Sequence, residues 1–153
     1  MARFYFPHVS AYSSTSGDGV WTLEGGTVSD PQPVFSSDPL FAGHYTIVAD
    51  LCHFHIEVDM NNIDGFGTGQ FYMTLPFNAD HDTMIQGGVL HDFSTGNSYA
   101  MIGEVAADSN VLYLYSTTSN AQLTPFSDSD NQPIRLAKED DFYISGIYEI
   151  AHS

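Results

Sequence analysis

Four residues spaced by two, His53, His55, Glu57 and Asp59, are the part of this chain best suited to chemistry. They lie in Leu51-Cys-His-Phe-His-Ile-Glu-Val-Asp-Met60, where Cys52, Phe54, Ile56 and Val58 fill the alternate positions. Successive side chains of an extended segment point to opposite faces, so the alternation predicts a strand with one apolar face. The other face carries two imidazoles and two carboxylates, groups that ligate zinc-like cations and exchange protons near neutral pH. A metal site on His53, His55 and Glu57, as in a cupin-like metal enzyme, is one expectation. Against it, Glu57 follows His55 too closely for that pattern, and the later histidines His81, His91 and His152 fall in turn-like or terminal contexts. The favoured expectation is a polar face that meets solvent or a neighbouring subunit, with His53 and His55 as interface residues. Imidazoles flanked by carboxylates at an interface would make assembly respond to mild acid.

Other polar motifs carry less. Asp59-x-Asn61-x-Ile63-Asp64-Gly65 puts an aspartate where a calcium loop needs glycine and lacks the closing glutamate, so it reads as a turn. Ser127-Asp-Ser-Asp-Asn131 reads as a solvated acidic loop. Gly67-Thr68-Gly69 has no following helix and no nearby lysine to hold a phosphate, and reads as a hairpin turn. The single cysteine, Cys52, excludes an internal disulfide, and its apolar side of the strand predicts a buried thiol facing away from both neighbouring histidines. No catalytic residue and no cofactor are predicted. Tyr113 and Tyr115, with Tyr72, Tyr99, Tyr143 and Tyr148, offer ring faces for stacking on sugars or for docking.

The elements that position these groups read as strands. Predicted strands cover 41–49, 51–60, 69–75, 84–90, 98–106, 111–116 and 141–150, with a fragment at Val20-Trp21-Thr22-Leu23 closed by Gly25-Gly26. Turn signals recur at 61–65, 78–83, 87–88, 94–97, 108–110 and 117–120, and prolines at 31, 33 and 39 mark a long extended loop. One helical turn is expected at Leu136–Asp140. This pattern predicts an all-β fold, an antiparallel β-sandwich of jelly-roll type. Residues 1–18 read as an N-terminal arm or first edge strand, with Phe4, Tyr5 and Phe6 as interface candidates, and 19–153 as one domain.

Charge narrows the partners. Three Lys and Arg against 19 Asp and Glu give a formal net charge of -16, which repels phosphate backbones, so no direct nucleic-acid binding is expected. Anionic membranes are disfavoured for the same reason, and neither a membrane-spanning apolar run nor a secretory signal is read in the chain.

Gly43-His-Tyr45, the histidine-bearing strand after it, Gly65-Phe-Gly-Thr-Gly69 and Leu75-Pro-Phe77 together resemble a recurrent module of tailed-phage virion proteins. Trp21 and Ser145-Gly-Ile-Tyr148 fit the same pattern, so the resemblance runs from Gly19 to Ile150. It implies a non-enzymatic virion structural protein, first of all a capsid decoration (cement) protein. Such a protein would dock on the major capsid protein or other virion proteins, adding buried area across subunit boundaries. The resemblance also implies a homotrimer, located on the head surface or the tail and assembled in the host cytoplasm. A tail or fibre module that binds host glycans is the alternative.

Overall fold

Alternation between Leu51 and Asp59 produces a strand whose even-numbered residues Cys52, Phe54, Ile56 and Val58 are buried. The computed structural model describes residues 16–21, 23–37, 40–118, 120 and 122–152; Phe4, Tyr5 and Phe6 lie outside them. The strands are β1 (Ser16–Val20), β2 (Gly25–Ser29), β3 (Val34–Phe35), β4 (Leu40–Val48), β5 (Leu51–Asp59) and β6 (Ile63–Gly65). They continue as β7 (Thr68–Thr74), β8 (Thr83–Asp92), β9 (Asn97–Val105), β10 (Val111–Thr117), β11 (Leu123–Pro125) and β12 (Asp141–Glu149).

All but β3 and β6 join one antiparallel sheet in the order β1-β4-β5-β12-β8-β9-β10-β7-β2, with β11 beside β10. The sheet curls over its own apolar face into a two-layered, jelly-roll-like sandwich. Segments distant in that order meet in the core: the Tyr45 ring of β4 stands edge-on to Phe77, in the loop after β7, at 5.2 Å, and Phe142 of β12 meets Phe126, just after β11, at 5.6 Å. Trp21 closes one flank, its indole N–H donating to the Thr74 carbonyl (3.0 Å) while its ring lies over Gly43, where any Cβ would collide. No helix of the described residues is long and apolar enough to cross a membrane.

Several local expectations are corrected. Gly67 and Gly69 do have positive φ, but their segment crosses to β10 and β2 rather than folding β7 back on β5. Both edges of β5 are already taken, by β4 and β12. Gly87-Gly88 is not a turn; it lies within β8 where the pairing with β9 slips. A Cβ on Gly87 would stand 2.4 Å from the Ser145 carbonyl oxygen, so the bare backbone there is what lets β8 approach β12. Of the fragment expected at 20–23, Val20 is the last residue of β1 while Trp21 and Leu23 lie outside strands, and Gly25-Gly26 open β2 instead of closing a strand.

His91 belongs to β8, one residue before that strand ends. The helical turn expected at Leu136–Asp140 is a single hydrogen-bonded turn, Asp140 N–H to Ala137 carbonyl. A short 3-10 helix forms instead at Met60–Asn62, capped by Asp59, whose Oδ1 accepts from Asn61 N–H at 2.9 Å. The segment read as arm or edge strand ends in β1, which pairs with β4 at one end of the sheet.

Candidate functional site

The outer face of β5 presents its odd-numbered residues as the alternation requires. His55 lies opposite Ser145 of β12 and His44 of β4, and its neighbours fix the ring on both sides. Nδ1 is 2.5 Å from the Ser145 hydroxyl and Nε2 is 3.1 Å from Glu57 Oε1. His53, His55 and Glu57 are not among the described groups of three side chains whose ligand atoms converge within 4.8 Å. Both ring nitrogens of His55 are engaged, one by Ser145 and the other by Glu57.

What β5 does join is a strip of rings across three strands. The His55 ring lies 6.1 Å from Tyr143 of β12, Tyr143 lies 6.0 Å from His91 of β8, and His91 lies 6.2 Å from Phe93. Phe93, Tyr143 and, further along β12, Ile147 are all exposed. Beside the strip is an open depression of about 250 Å³ lined by Glu57, Val58, Asp59, Asp141, Phe142 and Tyr143. Each of its carboxylates has one oxygen fixed by a neighbour: Glu57 by His55, Asp59 by Asn61 and Asp141 by His91 Nδ1 at 3.1 Å. The second oxygens of these groups are suited to accepting hydrogen bonds from hydroxyls, next to a tyrosine ring suited to stacking.

Tyr113 and Tyr115 do not join this strip. They lie on β10, which β8 and β9 separate from β12. Tyr113 packs against Tyr72 at 6.4 Å, and the Tyr115 hydroxyl donates to Glu104 Oε2 at 3.1 Å. Cys52 is fully buried, and burial pushes its thiol up to about 12, so it is a packed thiol and not a nucleophile. The acidic loop closes on itself: Ser127 Oγ donates to Asp130, and buried Asp128 accepts from Leu136 N–H at 2.7 Å.

A second cluster, absent from the sequence reading, forms where the β4–β5 turn, the β7–β8 loop and the end of β12 meet. Asp50, Glu149 and His152 form one converging group and Asp80, His81 and Glu149 another, so Glu149 is common to both. His152 Nε2 is 3.4 Å from Asp50 Oδ2, and His81 Nε2 is 3.1 Å from Asp80 Oδ2 and 3.6 Å from Glu149 Oε2. These residues share no spacing in the chain, so only the histidines outside strands hinted at it.

No protein-family model and no curated protein matches the sequence. Among solved structures the fold is similar to the Dettilon tailspike protein, with a TM-score of 0.61 and 14% identity. The match covers 88% of this chain and 24% of the tailspike chain, so the protein spans about a quarter of the length of that neighbour.

Proposed function

We propose that this chain is a β-domain of a bacteriophage tail appendage, of tailspike or fibre type, that binds host-surface glycan and catalyses nothing. The observation that carries this reading is the fold likeness to a tailspike over nearly the whole chain. The module resemblance drawn from the sequence points to the same kind of particle, and the likeness to a tailspike favours the tail over the head. Capsid decoration, the first expectation from sequence, has no comparable support.

The strip of His55, Tyr143, His91 and Phe93, with the carboxylates beside it, is the proposed sugar-facing surface. A formal net charge of -16 selects for neutral sugars over anionic ones. The homotrimer and docking on other virion proteins remain part of the proposal.

Labelling the chain on particles tests its location: a few copies at the tail are expected, and copies spread over the head would overturn the tail reading. Tyr143→Ala is expected to abolish binding to host cells or host polysaccharide with the melting temperature unchanged. Undiminished binding would remove this face from the proposal. Sedimentation of the isolated protein at the mass of one chain would remove the trimer.

A further inference from the structure

The cluster at the junction of the β4–β5 turn, the β7–β8 loop and the end of β12 lies outside the proposed sugar-facing strip. We propose that it binds one divalent transition-metal cation of the zinc type, seated on Asp50, Glu149 and His152, with Asp80 and His81 as the adjoining wall.

The chemistry of the donors selects the ion. Imidazole together with carboxylate suits zinc and its neighbours, whereas calcium and magnesium take oxygen ligands alone. Distances agree with that choice. Bonds of about 2.0–2.2 Å place the ligand atoms of a tetrahedral zinc roughly 3.4 Å apart. His152 Nε2 and Asp50 Oδ2 already stand 3.4 Å apart, and His81 Nε2 and Glu149 Oε2 3.6 Å. The third ligand of the seat, Glu149, has its carboxylate within 4.8 Å of both Asp50 and His152 ligand atoms.

The backbone holds these groups in place without the ion. Ile150 N–H donates to the Asp50 carbonyl, Asp80 N–H to the Glu149 carbonyl and Ala151 N–H to the Asn78 carbonyl, each at 2.8 Å. The cations described elsewhere are committed to other partners, Arg135 to Asp128 and Lys138 to Asp64. His152 is the least exposed of the five side chains, at 17%, which places the primary seat on its side of Glu149. A bound ion would join two segments far apart in sequence, the turn at Asp50 and the end of β12, and binding to the folded chain alone raises stability by mass action.

Titration of the chelator-stripped full chain with Zn²⁺ in a calorimeter tests the site. One ion per chain and a raised melting temperature are expected, with Ca²⁺ binding far more weakly. Glu149→Gln and His152→Asn should each weaken Zn²⁺ binding by more than about tenfold, and His53→Asn with His55→Asn should leave it unchanged. If Glu149→Gln does not fold, Asp50→Asn together with His152→Asn carries the same test. No saturable Zn²⁺ binding, binding retained in these variants, or Ca²⁺ binding as tight as Zn²⁺ would overturn the proposal. Loss confined to His81→Asn would overturn the assigned seat, and loss in the His53 and His55 variant would move the metal to β5.

Discussion

The hydroxyl of Tyr148 bonds both polar groups of Phe77: it donates to the carbonyl at 3.0 Å and accepts from the N–H at 3.1 Å. Both residues are buried, and 71 positions separate them. One side chain thus ties the last strand to the segment that leaves β7, and desolvation raises its phenol far above the ordinary value, keeping it a neutral donor.

Tyr148→Phe keeps the ring and removes both bonds. We expect a loss of about 2 kcal/mol, since buried backbone groups that lose a partner cost more than an average hydrogen bond contributes. Urea unfolding of the variant measures it, and a change below about 0.5 kcal/mol would show that the pair is energetically idle.

Gly87→Ala drives a methyl group into the Ser145 carbonyl, 2.4 Å away, and backbone cannot rotate aside as a side chain can. A destabilisation of roughly 1–3 kcal/mol is expected, as for overpacking in a core. Gly96 has positive φ but nothing within 4 Å of its built Cβ, so Gly96→Ala isolates the cost of backbone conformation alone. Thermal melts of the two variants separate crowding from strain.

Asp92 is held below its ordinary carboxylate value, chiefly by hydrogen bonds from the Ser94 and Thr95 hydroxyls at 2.6 and 2.7 Å. Its contribution is complete above the unfolded carboxylate value and is lost as pH falls through the lower folded one. Asp140 has the opposite sign: burial raises its carboxyl, so its contribution is present below the unfolded value and fades as pH rises through the folded one. Asp92→Asn should therefore lose stability at neutral pH and show a shallower decline in acid than the parent chain. Urea midpoints collected from neutral pH down to about pH 3 check this, and parallel curves would exclude Asp92 as the acid-sensitive group.

Cys52 has no exposed surface, and its thiol is pushed up to about 12 by burial. Reaction with a disulfide reagent at neutral pH should be slower by orders of magnitude in the folded chain than in denaturant. Fast labelling under native conditions would mean that β5 opens locally.

Much of the fold was legible because strands carry their burial in a period of two. Ile56 and Glu57 point apart whatever surrounds them, so which side of β5 is core follows from the residues alone. Gly87 shows the limit of that reading. Two adjacent glycines signal a turn locally, and only the approach of Ser145 from β12 explains them as part of a strand. The Gly67 crossover is similar, since a positive φ is local while the strand that pairs next is decided by which edges are already filled.

The surfaces divide along the same line. Sequence alone determined that the chain is all β, strongly acidic, and built with His53, His55, Glu57 and Asp59 on one outward face, because these depend on composition and on neighbours along the chain. Tertiary structure decided that His55 belongs with Tyr143 and His91 rather than with His53. It also brought Asp50, Asp80, His81, Glu149 and His152 to one junction. Such meetings rest on which strands pair across the sheet, and long-range pairing leaves no periodic mark on the residues that it brings together.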